Sequence, residues 1–279
     1  MAELPEIETL RRDLDKEVSG KRIKSVEVPG RKDVIPTHIN KRDFTSKLEG
    51  AKVTGVNRRG MLLVLKLDND HVLVIDLRKG GQIRRHASKD PMAKGTQVVM
   101  TFTQQGQLRF VDPSHQLRLE AIVPTDLATM HPELATQGSD PLDEPISWTK
   151  FGNLMLSRQL TLKALLMDPT VVVGIGPVYS DEILFGSGLR PDRQSEEMST
   201  QEMRRLYRAL VEVLHAAAKH RGATLADGVY TDLQGRAGDF RGELRVYERD
   251  GQQCYRCRKT VAKAKVGGKV TYWCPGCQV

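Results

Sequence analysis

The chain has 279 residues, and its 43 lysines and arginines outnumber its 35 aspartates and glutamates, which gives a formal net charge of +8. Hydrophobic residues make up 39% and charged residues 28%, a composition that is typical of folded proteins and excludes disordered and collagen-like chains. The apolar runs are too short to cross a bilayer, and the acidic start Met1-Ala2-Glu3-Leu4 lacks the features of a signal peptide. We therefore expect a cytoplasmic protein without membrane contact, long enough for two domains.

The first 125 residues combine one helix with a series of short strands. Apolar residues recur at helical spacing over residues 1–19, and Gly20 is typical of a helix end. Alternating patterns separated by turn residues then predict strands at 23–28, 52–56, 61–67, 71–77, 98–102 and 108–111. This part of the chain is therefore predicted to be a β-sandwich or barrel preceded by a helix.

The second half of the chain is predicted to be helical. Prolines and acidic residues over residues 126–147 indicate a linker. Helical spacing follows at 148–156, 162–167, 178–186 and 200–220, and the apolar stripe of the last segment is typical of a helix packed in a core. Residues 222–243 are rich in glycine and polar residues, which predicts a mobile loop.

All four cysteines lie close together in the sequence, at Cys254, Cys257, Cys274 and Cys277. Two C-x2-C pairs separated by sixteen residues have the spacing of a four-cysteine zinc site, and the segment between them is predicted to be a β-hairpin that turns at Gly267-Gly268. Two disulfides are the alternative, which a cytoplasmic location disfavours. The pattern predicts one structural zinc ion, since four thiolates leave no open coordination position for catalysis.

Three blocks of sequence resemble the formamidopyrimidine-DNA glycosylase and endonuclease VIII family. The first is Glu-Leu-Pro-Glu-Ile-Glu-Thr-Leu-Arg-Arg at 3–12. The second, similar to the family's helix–two-turn–helix segment, is Leu-Leu-Met-Asp at 165–168 with Val-Gly-Ile-Gly at 173–176 and Val-Tyr-Ser-Asp-Glu at 178–182. The third is Val-Tyr at 246–247 followed by the four cysteines, similar to the family's zinc finger.

The resemblance covers essentially the whole chain and implies an α+β fold of two domains. Its parts are an N-terminal β-sandwich with an N-terminal helix at 1–125, a linker at 126–147, a helix–two-turn–helix DNA-binding domain at 148–243, and a zinc-finger β-hairpin at 244–279.

The same resemblance implies a DNA glycosylase with AP lyase activity. In this family the amine of residue 2, freed by removal of Met1, attacks C1′ of a flipped nucleotide and forms a Schiff base. Ala2 takes the place of the usual proline, and an α-amine with a pKa of about 7.7–8.0 is substantially neutral near pH 7. Glu3 matches the family's general acid and Glu6 is also retained, so Ala2, Glu3 and Glu6 are the catalytic candidates.

Other family positions are substituted in this sequence. Where the family has a phosphate-binding lysine, histidine and asparagine and a finger arginine, this chain has Met61, Asp76, Pro177 and Lys269. The three side chains that fill the space left by a flipped base are replaced by Lys79, Ser114 and Gln116. Because these residues stabilise the extruded nucleotide, we expect reduced or specialised activity.

DNA is the expected partner, either damaged, abasic or single-stranded, and we expect a monomer associated with the nucleoid. The candidate DNA-contacting residues are Lys79, Lys163, Arg256 and Lys269. Three functions stay open at this point: a divergent glycosylase/lyase, a catalytically inactive paralogue that binds DNA, and a paralogue that only binds a partner protein. The retained Ala2-Glu3 pair favours the first, whereas Met61, Asp76 and Pro177 favour the others.

Overall fold

The computed structural model describes residues 2–104, 106–144 and 146–279. Met1, whose removal the family mechanism requires, and Pro145, in the predicted linker, lie outside the described residues. The chain forms two compact units, the first of which contains Ala2, residues 6–135 and residues 221–239. The second contains Glu3–Pro5, Thr136–His220 and Phe240–Val279. The segment 221–239, which the sequence placed with the helical domain, thus belongs to the first unit.

Two antiparallel four-stranded sheets make up most of the first unit. The strands are β1 (Ile23–Glu27), β2 (Val53–Arg59), β3 (Leu62–Leu67), β4 (Val72–Asp76), β5 (Gln82–His86), β6 (Thr96–Phe102), β7 (Gln107–Val111) and β8 (Arg118–Ile122). Their orders in the two sheets are β1-β6-β7-β5 and β2-β3-β4-β8. Helix α1 (Leu4–Val18) precedes the strands, and the short α-helices α2 (Lys41–Ser46) and α3 (Leu127–Met130) lie between β1 and β2 and after β8.

The prediction of a β-sandwich is confirmed, but two strands were not predicted from sequence. Strand β5 lies at the edge of its sheet and has the sequence Gln-Ile-Arg-Arg-His, in which Ile83 is the buried residue. Strand β8 is also an edge strand and begins with an exposed arginine. The apolar pattern of β5 is therefore weak, whereas that of β8 is interrupted by Glu120, a buried charged residue among its four buried residues. The inner faces of both sheets and the apolar face of α1 share one hydrophobic core.

The helices of the second unit follow the sequence prediction closely. They are α4 (Trp148–Leu156), α5 (Leu162–Leu166), α6 (Pro177–Ser187) and α7 (Thr200–Lys219). Three of them begin at a capping side chain that accepts a backbone N–H, supplied by Ser147, Thr161 and Ser199. Helix α6 instead begins at Gly176, followed by a proline in its first turn.

A β-hairpin lies between the two cysteine pairs, as predicted. Strands β9 (Ala262–Val266) and β10 (Lys269–Trp273) pair in antiparallel register, with Lys269 opposite Val266. Gly267 and Gly268 both have positive φ angles, of 53° and 77°, which suits the tight turn that joins twisted strands. Among the described residues, none of the helices has the length and apolar composition needed to span a membrane.

Candidate active site and metal centre

The four cysteine thiols converge at one point. Their sulfur atoms all lie within 4.8 Å of one another, with Cys254 Sγ 3.8 Å from Cys277 Sγ and Cys257 Sγ 3.3 Å from Cys274 Sγ. A tetrahedral ion with Zn–S bonds of about 2.3 Å separates neighbouring sulfurs by roughly 3.8 Å. The cysteines are free thiols. The cluster therefore has the donor set and the spacing to hold one metal ion.

Two neighbouring carboxylates of α6 support the chain around this cluster. Asp181 Oδ2 accepts the N–H of Tyr272 in β10 at 3.0 Å. Glu182 accepts the N–H groups of three consecutive residues just before the first cysteine pair, at 2.8–2.9 Å: Arg245, Val246 and Tyr247. Burial raises the pKa of Glu182, against the lowering effect of these backbone donors. Helix α6 thus fixes both the approach to the cluster and one strand of its hairpin.

Lys163 was expected to contact DNA, but the structure gives it an internal partner. Its side chain is 1% exposed, and its ammonium lies 2.6 Å from Asp181 Oδ1 and 3.1 Å from the Pro177 carbonyl oxygen. Burial lowers the pKa of Lys163 and raises that of Asp181 to about 6, while their attraction acts the other way. A phosphate contact by Lys163 is therefore not supported, because the Lys163 ammonium is buried and paired with the Asp181 carboxylate.

Glu3 binds the N-terminus of helix α6. Its Oε2 accepts the N–H of Gly176 at 2.7 Å and that of Tyr179 at 3.3 Å, and its Oε1 accepts the N–H of Val178 at 3.0 Å. Pro177 has no N–H to offer, and the carboxylate uses the donors on either side of it. A negative charge at this helix end is favoured by the helix dipole. A Cβ atom on Gly176 would lie 2.6 Å from Oε1 of Glu3, so the close approach requires glycine there.

Glu6 binds the beginning of the segment that follows α7. Its Oε1 accepts the N–H of Ala223 at 2.8 Å. Gly222 has φ +77°, and a Cβ atom there would lie 2.6 Å from the same oxygen. This hydrogen bond holds the loop 221–239 against α1. The contact indicates that Glu6 positions the loop.

Ala2 is half-buried and packs against the core of the first unit. It lines a small cavity of about 10 Å³ together with residues of α1, β5 and the loop 221–239. The other lining residues are Leu10, Leu77, Gly81, Gln82, Val229, Tyr230 and Thr231. The candidate nucleophile therefore lies beside a cavity that has room for about one water molecule.

Two of the substituted positions have taken on structural contacts within the first unit. Met61, in the turn between β2 and β3, is partly buried and packs against the hydrophobic core. Asp76, at the end of β4, lies 2.7 Å from Arg78 Nε and also accepts the Arg78 N–H at 3.0 Å. Neither position offers a cation to a phosphate.

Two of the three void-filling positions, Ser114 and Gln116, fall in a loop built around a buried carboxylate. Asp112 is fully buried and accepts the Ser114 hydroxyl at 2.6 Å and the N–H groups of Gln116 and Leu117 at 2.6 and 2.7 Å. Burial alone would raise the pKa of Asp112, but these hydrogen bonds outweigh it and the pKa is lowered. Ser114 and Gln116 are exposed and polar, so they offer little apolar volume beside a base.

The remaining candidate DNA contacts are exposed. Lys79 lies in the turn after β4, Lys269 begins β10, and both side chains face solvent. Arg256 lies between the first two cysteines, and its guanidinium stacks 4.6 Å from the Phe185 ring centroid. These three positions are accessible to a phosphate backbone.

Several residues that shape the candidate site were not singled out from sequence. Tyr230 and Leu233, in the loop predicted to be mobile, are 6% and 1% exposed and belong to the core of the first unit. Asp232 is fully buried and bonds both Arg221 and Arg236. The apolar residues Val229, Tyr230 and Leu233 within a polar segment were the available signal, and the surrounding glycines obscured it.

Comparisons with known proteins agree with this architecture. The model of the formamidopyrimidine-DNA glycosylase N-terminal domain matches residues 1–119, and that of the formamidopyrimidine-DNA glycosylase H2TH domain matches residues 137–228. A relative from Desulfitobacterium hafniense, named formamidopyrimidine-DNA glycosylase, is 34% identical over 281 residues, with 100% of each chain covered. One of the same name from Geobacillus kaustophilus is 34% identical over 280 residues, again with 100% of each chain covered.

Solved structures of the same family match the fold. The Lactococcus lactis Fpg in complex with DNA containing an abasic site has a TM-score of 0.89 at 28% identity, and 99% of each chain is covered. The complex of the same bacterium's enzyme with DNA containing FAPY-dG has a TM-score of 0.87 at 28% identity and equal coverage.

Proposed function

Because this chain belongs to the formamidopyrimidine-DNA glycosylase family, we propose that it is a base excision repair enzyme that forms a Schiff base with damaged or abasic DNA through the α-amine of Ala2. Its relatives carry the glycosylase name, and its structural neighbours are complexes with abasic or damaged DNA. The net charge of +8 favours association with a polyanion.

The fixed position of Glu3 is the observation that carries this proposal. Three backbone N–H groups hold its carboxylate at the start of α6, and the next residue back along the chain is Ala2. A catalytic carboxylate must be held in place to transfer protons to and from a reacting group. The residue pair that the chemistry requires is thus retained and supported, although the residues that grip the substrate have changed.

The proposed reaction needs no oxidant or reductant. At an abasic site, the neutral Ala2 nitrogen attacks the C1′ aldehyde, a C–N bond forms, and the carbonyl oxygen leaves as water once protons have been supplied, which gives the imine. Loss of a proton from C2′ then expels the 3′ phosphate and breaks the C3′–O bond. Where a damaged base is still attached, the nitrogen attacks C1′ and the base departs with a proton; the C1′–O4′ bond then opens, O4′ takes up a proton, and the same imine results without loss of water.

We infer that this chemistry is slower or more specialised than is usual in the family. Met61 packs on the core, Asp76 is paired with Arg78, and Pro177 lacks a donor, so these positions do not fix substrate phosphates. A loosely held substrate loses much of the rate advantage of orientation. Diffuse contacts from Lys79, Arg256 and Lys269 would then supply most of the affinity.

Zinc is the metal that suits the cysteine cluster best. Cys254, Cys257, Cys274 and Cys277 would hold it as a closed four-thiolate site, and its role there is to fold the hairpin. The ion would stabilise the position of Arg256 and Lys269 without entering the reaction.

Strand cleavage on abasic duplex DNA, with protein that begins at Ala2 and carries no tag, tests the proposal. Wild-type protein is expected to cleave, and Glu3→Gln should reduce cleavage about 100-fold because proton transfer fails. Glu17→Gln is a suitable control, since Glu17 is a partly exposed carboxylate at the other end of α1. Equal cleavage by wild type and Glu3→Gln would contradict the assigned role of Glu3.

A catalytically inactive DNA-binding paralogue is the second candidate function, and the loss of cations at Met61 and Asp76 favours it. Such a protein would bind duplex or single-stranded DNA with a strong salt dependence, because counterion release from diffuse lysine and arginine contacts would dominate its affinity. Salt-dependent binding without any cleavage or covalent adduct would establish this alternative.

A further inference from the structure

A second cavity, of about 450 Å³, lies within the second unit beside the first cysteine pair. It is lined by α6, α7, the 3₁₀ turn Phe240–Glu243 and the two residues between Cys254 and Cys257. We propose that this cavity binds an unpaired nucleotide of single-stranded DNA, with the base inside the cavity and its phosphate at the rim. The inference goes beyond the proposed function and does not depend on the Ala2 reaction, because no described residue lines both cavities.

The floor of the cavity suits a flat apolar group. Phe185 of α6 and Phe240 contribute buried aromatic rings, and Val213 and Ala216 of α7 contribute aliphatic surface. The Phe240 ring is fixed 5.7 Å from the Tyr179 ring, measured between centroids. Pockets for small ligands usually measure about 300–1,000 Å³ and are lined mainly by such residues, so the cavity has the size and the surface to enclose a base.

Tyr255 offers a stacking surface beside this floor. It lines the cavity, is 59% exposed, and has the Arg249 guanidinium 3.6 Å from its ring centroid. Exposed aromatic rings next to arginines are the surfaces on which proteins stack the bases of single-stranded nucleic acids. In a duplex both faces of each base are already covered by its neighbours, so this contact favours an unpaired base.

The charges at the rim of the cavity suit a phosphate. The Arg256 guanidinium lies 4.6 Å from the Phe185 ring centroid, and in the described part of the chain no carboxylate forms an ion pair with it. A guanidinium can donate two parallel N–H bonds to a phosphate. The carboxylates that line the cavity already have partners: Glu182 has the N–H groups of residues 245–247, Glu212 has Arg208 at 2.7 Å and Glu243 has Arg245 at 3.0 Å.

The whole segment 240–279 attracts polyanions. Nine lysines and arginines and three acidic residues give it a formal net charge of +6, out of +8 for the chain. A strand with one base in the cavity would place its next phosphates against these cations. An acidic peptide would suit the same charges, but its carboxylate side chains would not use the aromatic floor or the Tyr255 ring. The combination therefore favours a nucleotide.

Equilibrium binding of the full-length protein to three DNA probes tests the proposal. They are a short single strand of thymidine nucleotides, a strand with the same number of phosphates in which three-carbon spacers replace the nucleosides, and a blunt undamaged duplex. The wild-type protein is expected to bind the thymidine strand about tenfold more tightly than the spacer strand, because stacking contributes only where bases are present. Tyr255→Ala should remove this difference and leave the Kd for the duplex within about twofold. Fluorescence anisotropy measures all three dissociation constants.

Two further variants and a matched control locate the base. Val213→Trp fills the cavity from α7 without changing the cysteine pair, and it should reduce the preference for the thymidine strand as Tyr255→Ala does. Tyr255→Phe keeps the ring and should keep the preference. Trp148→Ala is the control, because Trp148 is another exposed aromatic residue with an arginine stacked on it, Arg204 at 4.6 Å, and it does not line the cavity. This variant should keep the wild-type preference.

Equal affinity of the wild-type protein for the thymidine and spacer strands, or no binding to either, would overturn the proposal. Displacement of the thymidine strand by polyglutamate as effectively as by unlabelled strand would assign the cavity to acidic peptides and would also overturn it. A preference that survives in both Tyr255→Ala and Val213→Trp would place the base elsewhere, with the same consequence. The Ala2 reaction is measured separately by borohydride trapping, so failure of this proposal leaves the proposed function standing.

Discussion

The cysteine cluster is formed by residues close together in the sequence, whereas the surroundings of Ala2 are formed by residues far apart in it. The cluster is made by two C-x2-C pairs joined by one hairpin, so all its donors come from residues 254–277. The cavity beside Ala2 is lined by α1, the turn after β4, strand β5 and the loop 221–239, which are separated by more than two hundred residues of sequence. The first can be identified from spacing alone, whereas the second exists only once the chain has folded.

This difference shows which functional features can be predicted from a sequence and which cannot. A closed thiolate site needs a fixed number of ligands at a fixed spacing, and any departure would be visible. The shape of the site beside Ala2 depends on the side chains that line its cavity. These side chains can differ between related proteins without any change in a sequence motif. The substitutions at Met61, Asp76 and Pro177 can be read from the sequence, but the small size of the cavity beside Ala2 cannot.

The largest expected effect concerns the cluster. Replacing Cys274 by Ser should abolish metal binding and unfold the hairpin, because in small zinc modules metal binding supplies about 10–16 kcal/mol of folding free energy. Metal analysis and limited proteolysis of residues 244–279 would measure this. Lys265→Ala changes an exposed residue of β9 and should have no effect. Full metal content in Cys274→Ser would show that the four thiols are not the ligand set.

The next prediction tests whether the cluster is as self-contained as its spacing suggests. Lys163→Met leaves the buried Asp181 carboxylate without its partner, and the free energy of unfolding should fall by about 3–5 kcal/mol. Since Asp181 also accepts the N–H of Tyr272, the hairpin should become easier to cleave. Chemical denaturation with Lys150→Met as the exposed control provides the measurement. A loss below about 1 kcal/mol would mean that the pair behaves like a surface salt bridge.

A glycine substitution tests the assembled region around Ala2. Gly222→Ala places a Cβ atom 2.6 Å from Glu6 Oε1 at a φ of +77°, so we expect a loss of about 1–3 kcal/mol and a displaced loop. Gly242→Ala is the matched control, because a Cβ atom there meets nothing within 4 Å. Equal stability of the two variants in a denaturant titration would show that Glu6 does not anchor the loop.

The smallest predicted effect concerns a locally encoded feature, the cap of α7. Hydrogen bonds from Arg193 and from Ser199 lower the pKa of Glu202 from 4.5 to about 2. A depressed carboxyl pKa stabilises the folded state above pH 4.5, and this contribution is lost as the pH falls from 4.5 towards 2. Glu202→Gln should therefore be about 1 kcal/mol less stable at neutral pH and approach the wild type in acid.

Unfolding free energies measured between pH 2 and 7 would test this, with the exposed Glu196→Gln as the control. A difference between Glu202→Gln and the wild type that stays constant across this range would contradict the assigned pKa shift.

The sequence predicted the local features of the fold well and the long-range ones poorly. The helices at 148–156 and 200–219 have strong apolar stripes and capping serines, and the hairpin has a two-glycine turn. Strand β5 was missed because it buries only Ile83, and β8 was missed because a charged residue, Glu120, interrupts its short apolar run. Lys163 was expected at the DNA surface because its partner Asp181 is distant in sequence, and nothing local marks a lysine as buried.

For the candidate site, the sequence likewise indicated individual residues but not the contacts that they make in the folded chain. Ala2, Glu3 and Glu6 are catalytic candidates through resemblance, and that role stays a prediction. The structure adds what each carboxylate binds: the start of α6 for Glu3 and the loop after α7 for Glu6. Tyr230 was not singled out, since it lines the cavity beside Ala2 only in the folded chain and no pattern in the sequence specifies that position.

The central claim is that the α-amine of Ala2 bonds to the deoxyribose of abasic DNA. Borohydride reduction of the complex between untagged protein lacking Met1 and an abasic duplex, followed by proteolysis and mass spectrometry, tests it most directly. The reduced sugar is predicted on the N-terminal peptide that begins at Ala2, and acetylation of that amine is predicted to abolish the adduct. An adduct on a lysine-containing peptide such as that of Lys79, or no adduct at all, would contradict the claim.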